Sequence, residues 1–102
     1  MLFRSSFDWF TRSIESSSGP ESYEIIRSFG HFLMKENDKT RLNLGVDFLQ
    51  KTGLEGTRPE QVIAVYQVLR KMVFVPDYKE KLKAIREKHR NDDFYEILEY
   101  LD

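Results

Sequence analysis

The residues that could do chemistry in this sequence are two histidines and a group of carboxylates near the C-terminus. His31 and His89 fall in different predicted helices without the close spacing of paired ligands, so a two-histidine metal site is only an alternative. The carboxylates are Asp92, Asp93, Glu96, Glu99 and Asp102. They indicate a solvated acidic helix face, because calcium needs oxygen ligands wrapped around the ion. The sequence has no cysteine, phosphate-binding loop or hydrolase motif. We therefore predict a protein that is not an enzyme and holds no metal or cofactor.

Positive charge is concentrated in one predicted helix, which covers residues 79–90. Six basic residues there stand against Glu80 and Glu87, a net charge of +4, whereas residues 91–102 carry five acids and no lysine or arginine. The basic residues are Lys79, Lys81, Lys83, Arg86, Lys88 and Arg90. One interpretation is a basic face that binds phosphates or an acidic partner. The other is a solvated helix that the acidic tail partly neutralises.

Aromatic residues could fill a core or anchor a partner, because exposed aromatic side chains concentrate at interfaces. Phe29 and Phe32 are neighbours on one face of a predicted helix, and Tyr23 lies to the side of that face. Trp9 lies beside Phe10 but off the apolar stripe of the first helix. We expect most of these rings in the core, but the spacing leaves the exposure of Phe29 and Trp9 open.

Apolar residues recur at intervals of three and four along almost the whole chain, which predicts helices and no sheet. The successive stripes are Phe3, Phe7, Phe10 and Ile14; Ile25 or Ile26, Phe29, Phe32 and Leu33; Leu42, Val46 and Leu49; Val62, Tyr66, Leu69 and Val73; Tyr78, Leu82 and Ile85; and Phe94, Ile97 or Leu98, and Leu101. These stripes predict an all-α fold, a compact bundle of five to six helices in a single domain over residues 1–102. The core covers about residues 3–90, and an acidic C-terminal helix covers residues 91–102.

Several residues predict where the helices begin and end. Ser18 is the expected N-cap of the second helix, and Gly53 is expected to follow the third helix as a C′ glycine. Thr57 and Glu60 have the spacing of a capping box at the start of the fourth helix, and Asp77 begins a similar pattern for the fifth.

Composition limits the class of protein. The chain of 102 residues, 40% of them hydrophobic, is long enough for one core. Its net charge of −1 gives no overall attraction to nucleic acid or to an acidic membrane. The longest purely apolar run, Met72–Val75, is far shorter than the roughly 20 residues that span a bilayer. We predict a cytoplasmic protein without a membrane partner, with the nucleus as the alternative compartment.

Two stretches of sequence resemble the death-fold superfamily, and the death effector domain in particular. Residues 44–54, LGVDFLQKTGL, resemble the fourth helix of that family, and residues 62–71, VIAVYQVLRK, resemble its fifth helix, which ends in a basic pair. Val75–Tyr78 resembles the start of the sixth helix. The resemblance covers about residues 3–88 and departs at Met72 and Val73, where the family has the aspartate of an Arg-x-Asp-Leu motif.

The resemblance implies a six-helix Greek key and a non-catalytic protein-protein interaction module. That module would be a death-effector-like adaptor, or a viral mimic of one, acting in the signalling assemblies of apoptosis with a protein partner that can be homotypic. The implied partner-binding residues are Phe29 as the apolar contact and Glu24, Arg70 and Lys71 as charged contacts, with Glu21 as an alternative to Glu24. Two other functions stay open: a small nucleic-acid-associated regulator that uses the basic helix 79–90, and a structural subunit of a larger assembly such as a viral one.

Overall fold

The computed structural model describes residues 2–17 and 19–101, with side chains from Ser6 onward. Six α-helices and no β-strand occur in this part of the chain, which confirms the prediction of an all-α bundle of five to six helices. They are α1 (Leu2–Ser16), α2 (Glu21–Met34), α3 (Lys39–Glu55), α4 (Pro59–Lys71), α5 (Tyr78–Lys88) and α6 (Tyr95–Leu101). The radius of gyration, 12.9 Å, matches the value of about 13 Å for a compact domain of this length. The predicted N-cap Ser18, the side chain of Phe3 and the terminal Asp102 lie outside the described residues.

Helix α4 is the centre of the bundle, since it packs against α2, α3, α5 and α6. Val62, Val65, Tyr66 and Leu69 are at most 1% exposed, and Ala64 is fully buried as well. These residues point to several sides of the helix, as expected for a helix that neighbours cover on most of its circumference. Helix α1 packs mainly on α2, and α5 packs on α3 and α4.

Helices α2 and α4 approach each other closely at Gly30. A Cβ atom on Gly30 would lie 2.7 Å from Cγ1 and 2.9 Å from Cγ2 of Val68. Valine is β-branched and therefore stiff about χ1, so its methyl groups cannot move aside easily. Helix α2 continues without a break through Gly30. The glycine thus permits the close packing of α2 against α4.

Gly53 lies inside α3, so the prediction that it ends the helix is wrong. The helix continues to Glu55, and Gly56 is its C-cap. Gly53 is buried, and a Cβ atom there would lie 3.0 Å from both Ile85 Cδ1 and Val65 Cγ1. Its small size lets α3 approach α4 and α5, and this packing requirement overrides the helix-ending tendency of glycine.

The starts of α3 and α4 differ in their capping. Asp38 caps α3, because its carboxylate accepts hydrogen bonds from the backbone N–H groups of Thr40 and Arg41 at 2.9 and 3.3 Å. Helix α4 instead has Arg58 as its N-cap and Pro59 as its first residue, with no side-chain cap hydrogen bond.

The predicted capping box of Thr57 and Glu60 is therefore wrong. Pro59 favours an extended conformation for the residue before it, so the N-cap moves to Arg58 and the box loses its spacing. The Glu60 Oε1 atom is buried and has no hydrogen-bond partner among the described residues. Asp77 occupies the N-cap position of α5 as predicted, but its φ of 62° is left-handed and its side chain makes no cap hydrogen bond.

The C-terminal segment belongs to the core. Helix α6 is shorter than the predicted helix over residues 91–102, because residues 91–94 form turns. Leu98 is fully buried, so the core extends past the predicted limit near residue 90. His89, the C-cap of α5, is 4% exposed and lies 2.7 Å through Nε2 from the Gly53 carbonyl oxygen and 2.7 Å through Nδ1 from Asp92 Oδ2. The His89 ring also contacts Phe94, at 5.3 Å between ring centroids.

Candidate interaction surface

Phe29 is a core residue, so the prediction that it anchors a partner is wrong. Its side chain is fully buried, and its ring centroid lies 5.6 Å from that of Phe7 and 5.3 Å from that of Phe10. Phe32 and Phe48 complete this aromatic cluster at 6.3 and 6.2 Å. Helix α1 covers the side of α2 that carries Phe29, and a partner could reach the ring only by displacing α1.

The basic pair at the end of α4 points in two directions. Consecutive helix residues are separated by about 100° around the axis. Arg70 accordingly lines a groove between α4 and α5, whereas Lys71 lines a smaller groove between α2 and α4. The two residues that the sequence places together are thus assigned to different surfaces.

The groove between α4 and α5, here called the basic groove, has a volume of about 510 Å³. Arg70, Lys79 and Arg86 supply its charge, and Tyr78 and Leu82 supply its apolar lining. The basic groove brings together one predicted partner-binding residue, Arg70, and two residues of the predicted basic face.

A buried tyrosine positions one of these cations. The Arg86 guanidinium donates a hydrogen bond from Nη1 to the Tyr66 hydroxyl at 2.6 Å, and Tyr66 itself is fully buried in α4. Arg86 is therefore held against the bundle, whereas Arg70 and Lys79 are exposed at the rim of the groove.

The predicted basic face is divided between two sides of α5. Lys79, Lys83 and Arg86 are spaced by four and three residues, so they share the side of the helix that adjoins the basic groove. Lys81 and Lys88 are spaced by seven residues and lie on the opposite side. Of the first set, Lys79 and Arg86 line the groove.

Two members of the predicted basic face have partners outside the basic groove. Lys81 Nζ lies 3.3 Å from Gln50 Oε1 and 4.0 Å from Asp47 Oδ1, both on α3. Arg90 lies beyond the end of α5 and pairs with Glu87 at 3.8 Å. Lys81, on the side of α5 away from the basic groove, therefore contacts α3, and Arg90 contacts Glu87 of α5 itself.

The small groove between α2 and α4 has a volume of about 90 Å³, with Gly30 and Met34 among its lining residues and Lys71 beside them. Glu24 lies next to it and pairs with Arg27 of the same helix at 3.2 Å. The Arg27 guanidinium also lies 5.7 Å from the centre of the Tyr23 ring. The predicted contacts Glu24 and Lys71 thus lie at or beside this small groove, whereas Arg70 lines the basic groove.

Sequence reasoning missed the exposed loop that joins α4 to α5. Val73 and Phe74 are 64% and 51% exposed there, although the apolar spacing predicts Val73 on the buried stripe of α4. Helix α4 ends at Lys71, and the Val75 N–H bonds to the Met72 carbonyl oxygen in a turn. Pro76 disfavours a helical conformation only for Val75, the residue before it, so the sequence carries no clear signal that α4 ends as early as Lys71.

The acidic tail presents a second exposed surface with apolar side chains, besides the loop between α4 and α5. Glu96, Ile97, Glu99 and Tyr100, here called the tail face, are all exposed, with Ile97 at 45% and Tyr100 at 89%. Asp92 pairs with His89, but Asp93, Glu96 and Glu99 have no ion-pair partner among the described residues.

Within residues 2–17 and 19–101, no three histidine, aspartate or glutamate side chains converge as metal ligands would. None of the helices in the same residues combines the length and the apolar character needed to span a bilayer. Comparisons of the chain with protein-family models, with curated proteins and with solved structures gave no match. The resemblance to death effector domains therefore stays a prediction.

Proposed function

We propose that the protein is a non-catalytic protein-interaction module that binds an acidic segment of a partner protein in the basic groove. The observation that carries the proposal is the convergence of Arg70, from the end of α4, and Lys79, from the start of α5, on one groove. Both side chains are exposed, and neither has an ion-pair partner among the described residues. Carboxylates of a partner would supply complementary charge, which steers association and fixes its register.

Apolar surface beside the groove favours a protein partner over a nucleic acid. Val73 and Phe74 belong to the loop that connects the two walls of the groove, and Tyr78 and Leu82 line the groove itself. Exposed aromatic and arginine side chains together are typical of protein interfaces. A nucleic-acid site, in contrast, depends on many phosphate contacts, and the division of the basic residues between two sides of α5 limits their number.

Fluorescence anisotropy of a labelled peptide of Glu-Leu-Glu repeats tests the proposal. The double variant Arg70→Glu/Lys79→Glu reverses both exposed groove charges. We expect it to raise the dissociation constant at least about tenfold, because like charges then face each other across the interface. The matched control Lys35→Glu/Lys39→Glu makes the same change in net charge at two exposed lysines outside the groove, and we expect nearly wild-type binding.

Two results would contradict the proposal. Equal weakening in both double variants would show that net charge alone attracts the peptide. Binding of a single-stranded oligonucleotide that the groove variant abolishes, in the absence of peptide binding, would establish the nucleic-acid function instead. Such binding should also weaken steeply as salt is added.

The more specific function, a death-effector-like adaptor in a signalling assembly, is supported by the resemblance of residues 44–54 and 62–71. It predicts that affinity purification of the full chain from cells recovers proteins with domains of that family. It also predicts that Arg70→Glu removes them from the purified complex. Recovery of unrelated partners that are lost in the same variant would contradict the adaptor function and support only the general one.

A further inference from the structure

We infer that the acidic segment that the basic groove binds is the tail face of a second copy of this chain. The inference rests on the proposed function and names the occupant of the same groove. Two observations carry it: the composition of the tail face and the opposite charges of the two surfaces.

The tail face combines acidic and apolar side chains at helical spacing. Tyr100 is four residues from Glu96 and three from Ile97, so both are its neighbours on one side of α6. That side is opposite the buried Leu98, which holds the helix on the bundle. An exposed helix side with apolar anchors at such intervals is the form in which helices bind to grooves.

The two surfaces complement each other in charge and in apolar area. Arg70 and Lys79 of the groove lack ion-pair partners among the described residues, and so do Glu96 and Glu99 of the tail face. Tyr100, 89% exposed, and Ile97 would contact the apolar lining of the groove and the neighbouring Phe74. Each surface therefore carries the charge that the other lacks, and both offer apolar side chains for contact.

A contact of this kind joins two different surfaces, so a single contact leaves the groove of one copy and the tail face of the other unfilled. Within one molecule the tail face points away from the bundle, because Leu98 on the other side of α6 is fully buried. Each added copy then leaves one groove and one tail face exposed at the two ends of the assembly. Unless the rotation between copies closes a ring, such contacts build an open chain.

Sedimentation velocity of the full chain at low ionic strength measures this association directly. We expect the average mass to rise with protein concentration. The association should be lost when ionic strength rises from about 0.01 M to about 1 M, because the Debye length shortens from about 30 Å to about 3 Å. A wild-type chain that stays monomeric at low ionic strength overturns the inference.

A charge-swap experiment tests which surfaces meet. The groove variant Arg70→Glu/Lys79→Glu and the tail variant Glu96→Lys/Glu99→Lys should each associate at least about tenfold more weakly than the wild type. An equimolar mixture should recover association, since the acidic groove of one variant then faces the basic tail of the other. A mixture that stays monomeric, or single variants that associate like the wild type, overturns the pairing of these surfaces.

The apolar part of the contact has its own pair of variants. Tyr100→Ala should weaken association about tenfold and leave the circular dichroism spectrum unchanged, because the side chain is 89% exposed. Trp9→Ala removes another exposed aromatic side chain, 57% exposed on α1, and should leave association unchanged. Equal effects of the two variants would overturn the role of Tyr100.

The Glu-Leu-Glu peptide separates failure of this inference from failure of the proposed function. A monomeric chain that binds the peptide through Arg70 and Lys79 contradicts only the second copy as occupant. A monomeric chain that does not bind the peptide contradicts both.

Discussion

At the scale of single residues, burial distinguishes the side chains that stabilise the fold from those that can contact a partner. Phe29 lies on an apolar stripe and Trp9 lies beside one, and in the structure Phe29 is fully buried whereas Trp9 is 57% exposed. Spacing along one helix cannot show which side of that helix a neighbouring helix will cover. The difference arises from the packing of α1 across α2, which depends on contacts between residues distant in the sequence.

The substitution Phe29→Ala should lower the free energy of unfolding by about 3–5 kcal/mol, because it leaves a cavity among Phe7, Phe10, Phe32 and Phe48. Urea denaturation followed by circular dichroism measures this change. The control Trp9→Ala should cost less than about 1 kcal/mol, since that ring is largely exposed and contacts Phe10 edge-on at 5.1 Å. Similar losses in the two variants would contradict the assignment of Phe29 to the core.

At the scale of helices, the sequence predicts that a helix is present more reliably than it predicts where that helix begins and ends. The apolar spacing of three and four residues is present in each helix, because each must bury one side against its neighbours. The helix boundaries depend on the competition between local capping preferences and packing, which the apolar spacing does not resolve. Pro59 moves the start of α4 away from Thr57, and the packing of Gly53 against Ile85 extends α3 past its predicted end.

Capping gives a prediction at this scale, because Asp38 and Thr57 are both polar residues near helix starts. Asp38→Ala should lower the free energy of unfolding by about 1 kcal/mol, since it removes the acceptor for two backbone N–H groups of α3. Thr57→Ala should change stability by less than about 0.5 kcal/mol, because Arg58 is the N-cap of α4. Thermal denaturation of the two variants tests this difference. A larger loss for Thr57→Ala would restore the predicted capping box.

At the scale of the whole molecule, one hydrophobic core connects the described helices. Buried residues from Ile14 on α1 to Leu98 on α6 form a single cluster. A domain of this size with one core is expected to unfold in a single cooperative transition. Urea denaturation followed by Trp9 fluorescence and by far-ultraviolet circular dichroism should therefore give the same midpoint. A fluorescence transition at lower urea would show that α1 detaches before the rest of the bundle unfolds.

The charged residues of the candidate site can be predicted from the sequence, but their arrangement on the surface cannot. Arg70, Lys71 and the basic residues of α5 are recognisable from composition and charge alone. Their assignment to grooves is not, because a groove exists only once two helices have been placed side by side. For the same reason the sequence does not show that Arg70 and Lys79 face one groove while Lys71 faces another.

The hydrogen bond between His89 and Gly53 couples local unfolding of the C-terminal segment to the end of α3. The Gly53 carbonyl lies in the last turn of α3, where carbonyl groups lack donors from their own helix. His89 Nε2 donates to it, since a carbonyl oxygen can only accept. If the segment that begins at His89 detaches from the bundle, the Gly53 carbonyl of α3 therefore loses its hydrogen-bond donor as well. Loosening of the C-terminus is thus transmitted to the middle of the sequence, and amide protons in the last turn of α3 should exchange together with those of α6.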